Sequence, residues 1–210
     1  PVQSLAVDGD GNIFATGQFS QYAGATRLQL ARLGANGALD TAFSAALGST
    51  GSVVALGVAD GQLLVGGYFG SVTVSGSATP RRALARLHPA TGVVAAAPNF
   101  SLRAPGTVNA VTPLRDGRLL VAGAFNWIND VAAGNVARLT TGGAVDPAFN
   151  AGGAGASGSI NSLVLQPDGQ VIIAGSFGSY NTVFRPNIAR LNADGTLDSG
   201  FVQTGGGLNG

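Results

Sequence analysis

The residues in this chain able to do chemistry are ten Asp, eleven Arg, one His and a thin scatter of hydroxyls and amides, because Lys, Glu, Cys and Met are absent. Paired carboxylates with separated pKa values would suit glycoside or aspartyl chemistry. His88, the only histidine, would suit a general base. Asp8-Gly9-Asp10-Gly11-Asn12 places oxygen side chains at alternate positions, like the first half of a calcium loop. Arg32, Arg86, Arg138 and Arg190 recur at steps of 54, 52 and 52 residues, which could ring an anion. Without Cys there is no disulfide, thiolate nucleophile or zinc-thiolate site, and without Lys no Schiff base.

Each candidate has to be weighed against an internal repeat. LAVDGDGNIFATGQF (5–19), LGVADGQLLVGGYF (56–69), VTPLRDGRLLVAGAF (111–125) and LVLQPDGQVIIAGSF (163–177) are four versions of one stretch. After each comes Ala-Arg-Leu, at 31–33, 85–87, 137–139 and 189–191. A closing segment then ends in Phe43, Phe100, Phe149 or Phe201, written LDTAF, AAPNF, VDPAF and LDSGF. A residue that recurs in every copy usually serves the shared fold.

Subtracting such residues leaves little. Asp10, Asp60, Asp116 and Asp168 belong to Asp-Gly hairpin turns, Asp194 to a further turn, and Asp40, Asp146 and Asp198 to the closing segments, so only Asp8 and Asp130 remain. His88 follows Ala-Arg-Leu where other copies have Gly34, Thr140 and Asn192, which reads as an exposed turn. The calcium resemblance fails at the sixth and twelfth loop places, held by Ile13 and Phe19 instead of Gly and Glu. The recurrent arginines are better explained as partners of the closing Asp, since a guanidinium forks onto a carboxylate and a buried charge needs a partner. The Gly-rich string at 204–207 has no following helix or Lys-Ser/Thr, so it is no phosphate cradle.

Each Asp-Gly turn sits between two short apolar runs and predicts a β-hairpin. In the first copy we expect strands a to d near 2–7, 12–19, 27–33 and 38–43, with a polar loop of about eight residues between b and c. The 34 glycines and β-branched runs disfavour helix. Four short antiparallel strands in about 52 residues, repeated, predict an all-β fold: a β-propeller of four blades at 1–52, 53–107, 108–159 and 160–210. Either the four blades close by face packing or the chain is part of a larger propeller of about six to eight. Because Pro1 is no initiator and no leader precedes it, the chain is expected to be a mature or excised piece.

The pattern L-x-x-x-DG followed by two apolar residues, G-x-F, then ARL and DG-x-LD-x-x-F resembles the bacterial delta-60 repeat family, with a more distant similarity to NHL-type blades. The second copy departs most, being one residue short before Gly61 and lacking the closing Leu-Asp. The resemblance implies a propeller fold and an extracellular or bacterial cell-surface setting, with a protein or glycan as partner.

A net charge of +1 makes nucleic acid and anionic membrane poor partners, and no apolar run approaches the roughly 20 residues of a membrane helix. The sequence reading is therefore a non-catalytic binding or scaffold module needing no cofactor. Its expected contact face is the end carrying the b–c and d–a loops, with Tyr22, Arg27, Arg81, Trp127, Asn129, Tyr180, Asn181 and Arg185 as candidate binding residues. Alternatives are a carbohydrate-binding propeller lectin, and part of a propeller enzyme whose site lies elsewhere. For Tyr22 and Tyr180 a packing role competes with binding, because Val72 and Ile128 occupy the same place.

Overall fold

A computed structural model describes residues 1–47, 51–59, 61–96 and 106–201. It is all-β and divides into two compact units, Pro1–Ser101 and Leu102–Gly210, each holding two copies of the repeat. In the first copy β1 (Val2–Val7), β2 (Ile13–Gly17) and β5 (Leu30–Leu33) form an antiparallel sheet in the order β1-β2-β5, and β3 (Gln21–Tyr22) pairs with β4 (Ala25–Thr26). The second has β6 (Ala45–Leu47), β7 (Ser52–Ala59), β8 (Gln62–Tyr68), β9 (Ser71–Val74), β10 (Ser77–Pro80) and β11 (Leu84–Leu87). Here β7-β8-β11 is the main sheet, and β6 joins the β9–β10 hairpin.

The third copy contains β12 (Thr107–Pro113), β13 (Leu119–Ala124), β14 (Trp127–Ile128), β15 (Val131–Ala132) and β16 (Val136–Leu139). The fourth contains β17 (Ser159–Leu165), β18 (Val171–Ser176), β19 (Ser179–Tyr180), β20 (Val183–Phe184) and β21 (Ile188–Leu191), and both repeat the first arrangement. Asp60 and Phe100, assigned above to a turn and a closing position, lie outside the described residues.

Strands a, b and c thus stand where the apolar runs placed them, at 2–7, 13–17 and 30–33 in the first copy. Strand d does not form a ladder. It shortens to single bridges, Leu33↔Leu39, Leu87↔Val94, Leu139↔Val145 and Leu191↔Leu197. In the first, third and fourth copies the closing Asp turns the chain there: its carboxylate accepts the backbone N–H two residues on, from Ala42 to Asp40, Ala148 to Asp146 and Gly200 to Asp198. Such an Asx turn competes with continued pairing. It also bends the chain so that Phe43 and Phe149 enter the cores.

The expected b–c loop is likewise a hairpin. Its tips have both residues at positive φ: Ala23-Gly24, Ser75-Gly76, Asn129-Asp130 and Asn181-Thr182. That is the geometry of a type I′ turn, for which Asn and Gly are well suited.

Glycine in Gly-x-Phe has a steric cause. Strand a bulges opposite it, at Val2/Ser4, Val53/Ala55, Val108/Ala110 and Ile160/Ser162. A Cβ on Gly17, Gly67, Gly123 or Gly175 would overlap a strand-a carbonyl oxygen, of Pro1, Ser52, Thr107 or Ser159 respectively.

In the first unit β7 lies against β1 and β2, and Val53, Leu63 and Val65 pack with Phe14, Leu30 and Phe43. In the second unit β17 lies against β12 and β13, and Ile160, Leu163 and Ile173 pack with Leu120, Val136 and Phe149. Among the Gly-x-Phe aromatics, Phe69, Phe125 and Phe177 are buried and Phe19 is half-buried. Phe201 is half-buried too.

Phe177→Ala should destabilise the chain by about 3–5 kcal/mol through lost transfer energy and a residual cavity, measured by urea unfolding. Gly175→Ala should also destabilise it, by forcing β17 away from β18; a loss below about 0.5 kcal/mol would contradict the close approach.

Candidate functional site

The charged groups follow from the Ala-Arg-Leu strand. In β16, Arg138 Nε donates to Asp146 Oδ2 at 2.8 Å, and in β21, Arg190 Nε donates to Asp198 Oδ2 at 2.7 Å. Arg32 in β5 donates to Asp40, and Asp8 Oδ2 lies 3.8 Å from the same guanidinium. The closing aromatic stacks on two of these cations, Phe149 at 5.0 Å from Arg138 and Phe201 at 5.1 Å from Arg190, a cation–π contact. In β11, Arg86 occupies the same register, and Ala95 stands where the other copies have Asp, donating its N–H to the Arg86 carbonyl.

Arg32, Arg138 and Arg190 are therefore each held by a carboxylate of their own copy. Burial alone would raise the Asp40 and Asp146 carboxyls; hydrogen bonds from Ala42 and Arg32, and from Ala148, Arg138 and Arg118, outweigh it and hold both below their ordinary value. Asp198 is lowered mainly by its bond from Arg190. Asp8 accepts from the backbone N–H groups of Asp10 and Asn12 and from the Asn12 side chain, so its oxygens stabilise the turn. Among the described residues no group of three or more His, Cys, Asp or Glu could hold a metal ion. His88 is exposed, and its Nδ1 accepts the Ala90 N–H.

Most of the candidate binding residues are engaged inside their own copy. Tyr180 is fully buried, and its hydroxyl donates to the Gly195 carbonyl at 2.7 Å. Burial, with a smaller contribution from the Asp194 charge, pushes its phenol pKa up. This corrects the expectation of a surface contact: the packing role holds, and the ring pins the β19–β20 hairpin to the turn after β21. Tyr22 is half-buried and donates to the Gly37 carbonyl at 2.9 Å, and Asn129 donates to the Gly143 carbonyl at 2.9 Å. The b–c excursion consequently folds back until it reaches the c–d turn, and does not stand at the far end of the sheet as expected.

Arg27 and Arg81 cap closing-segment carbonyls, of Asp40 at 3.3 Å and Ala95 at 2.7 Å. Arg81 is also buried, which removes it as a contact residue. Asn181 bonds Asn150 and the Gly155 N–H, and Arg185 donates to the Phe184 carbonyl at 2.9 Å.

What faces outward in the second unit is an apolar set. Trp127, 39% exposed, faces Ala132 across its hairpin, and Phe184, 74% exposed, occupies the equivalent of Ala132 opposite Ser179. Val131 and Val183 adjoin them, both exposed. Of these exposed side chains the sequence reading named Trp127 and not Phe184, Val131 or Val183. Their signal was alternation across a two-residue turn, hidden while the segment was taken as a loop.

A separate cleft of about 490 Å³ lies in the second unit between the Asp116-Gly117 and Asp168-Gly169 turns. Leu114, Leu120, Leu165 and Val171 give it apolar walls, and Arg115, Arg118 and Gln166 give it polar ones. Gln166 Oε1 is buried there without a hydrogen-bond partner. Arg118 is bound to Asp116 at 2.6 Å and to Asp146 at 3.0 Å. The cleft can hold a small ligand by shape and by donors to Gln166.

Residues 9–43, 59–94, 114–149 and 166–201 match a family model described as a domain of unknown function, DUF5122, β-propeller. No curated protein matches the chain. Among solved structures, the computationally designed Ika8 protein superposes with a TM-score of 0.52 at 13% identity, covering 93% of this chain and 47% of its own. A gluconolactonase from Xanthomonas campestris superposes with a TM-score of 0.50 at 14% identity, covering 83% of this chain and 54% of its own. The chain spans about half the length of either. At these identities the likeness is one of fold.

Two predictions follow from the polar network. Asp146→Asn should lower stability at pH 7 by about 1–3 kcal/mol, since it weakens the bonds from two guanidinium groups. The lowered carboxyls bind protons more weakly folded than unfolded, so their contribution is complete above about pH 5 and is lost as pH falls below about 4. Urea melts from pH 3 to 7 should show that acid loss in the parent chain and a shallower one in Asp146→Asn. Tyr180→Phe should cost about 1 kcal/mol without altering the fold by circular dichroism.

Proposed function

Because the chain belongs to the DUF5122 β-propeller family, we propose that it is a non-catalytic binding or scaffold module of a bacterial secreted or cell-surface protein. Its partner on this reading is another protein, docked on the outward hairpin residues of the second unit. The observation that carries this is the exposure of Trp127, Val131, Val183 and Phe184 on two equivalent hairpins whose polar groups are already bonded internally. Large aromatics left in water on a rigid scaffold suit anchors that bury on association. The bacterial surface setting rests on the resemblance to delta-60 repeats. The non-catalytic reading is supported by carboxylates committed to turns and arginines.

A second reading, a small-ligand or carbohydrate site, is favoured by the cleft with its unpartnered Gln166 Oε1. The two readings separate experimentally. With a partner recovered from bacterial surface extracts, combined Trp127→Ala and Phe184→Ala should weaken binding at least about tenfold and leave the unfolding midpoint unchanged. A glycan array bound by the parent chain and lost on Leu165→Asp would instead favour the cleft. Turnover of a sugar lactone by the purified chain would overturn the non-catalytic reading.

A further inference from the structure

Equivalent positions have opposite fates in different copies. In strand a of the second copy, Val53 is fully buried, and Leu56 and Val58 pack against the core cluster that holds Phe14, Leu30 and Phe43 of the first. In strand a of the fourth, Ile160 and Leu163 are buried and Leu165 packs against Leu120, Val136 and Phe149 of the third. The register against strand b makes Val2, Leu5 and Val7 the same three positions in the first copy. There they are 58%, 62% and 60% exposed.

The receiving face is likewise more exposed in the fourth copy. Ile172 and Ile188 correspond by pairing to Phe14 and Leu30, and to Leu120 and Val136. All four of those are buried, whereas Ile172 and Ile188 are half-buried and the neighbouring Val164 is 55% exposed.

We propose that the fourth-copy face, Val164, Ile172 and Ile188, docks on the Val2, Leu5 and Val7 face of a second copy of this chain, reproducing between molecules the blade contact seen within each unit. The two surfaces are apolar, differ from one another and match by repeat equivalence, so the association is head-to-tail. A second copy carries the complementary face by identity. It would remove from water Val2, Leu5, Val7 and Val164, each more than half exposed.

Sedimentation equilibrium at about 100 μM should give a mass at least twice that of one chain. Leu5→Asp and Val164→Asp, both at exposed positions and so tolerated by the fold, should each sediment as monomers. Mixed, each supplies the face the other lacks, and a 1:1 heterodimer should form. A monomeric parent chain, as expected if further blades of the same polypeptide cover these faces, overturns the proposal. So does persistence of the assembly in Val164→Asp, or failure of the two folded variants to combine.

Discussion

The fork between the Ala-Arg-Leu arginine and the closing Asp is the interaction on which the first, third and fourth copies depend. A guanidinium in a half-buried strand is costly unless a carboxylate meets it, and the carboxylate arrives only if the chain turns back after the c strand. In the third copy the same Asp146 accepts from Arg138, Arg118 and the Ala148 N–H. One side chain thereby fixes the end of strand c, the a–b turn beside it and the bend that delivers Phe149 to the core. Phe149 then covers the cation. Charge, turn and aromatic burial are therefore one device.

A second constraint is close backbone approach. The strand-a bulge brings a carbonyl against the Gly-x-Phe glycine in every copy. The N–H of that glycine is in turn taken by the carbonyl of Gln29, Ala83, Asn135 or Asn187, all at positive φ. Those residues donate in turn to the carbonyl of the Gly-x-Phe aromatic. The turn into strand c is thus held in every copy by the same backbone bonds, to which the Asn135 side chain adds its own in the third, and this lets its letters vary among Gln, Ala and Asn.

Strands a, b and c were legible because apolar runs and Asp-Gly turns are local signals. The length of strand d was not: it is a single bridge in every copy, and in three of them the closing Asp turns the backbone away by an Asx turn. The Arg–Asp pairs were legible from recurrence. Tyr180 and Arg81, both buried, were taken as surface residues for a related reason: subtracting recurrent letters works only where the repeat preserves letters.

At the b–c hairpins the repeat preserves bonds instead. Tyr22 and Tyr180 stand at one place and Asn129 one residue further along its hairpin, yet each donates to the carbonyl of the corresponding turn glycine, Gly37, Gly195 or Gly143. Arg27 and Arg81 share a comparable task, each holding a closing-segment carbonyl. Irregular spelling there marks alternative solutions to one folding problem, and it made structural residues look like spare chemistry. Phe184 shows the converse: it stands at a plain strand position opposite Ser179, draws no notice as a letter, and among the described residues is the large hydrophobic side chain most exposed to water. Surface function in such a repeat is found by asking which side chains remain uncovered after the shared bonds are drawn.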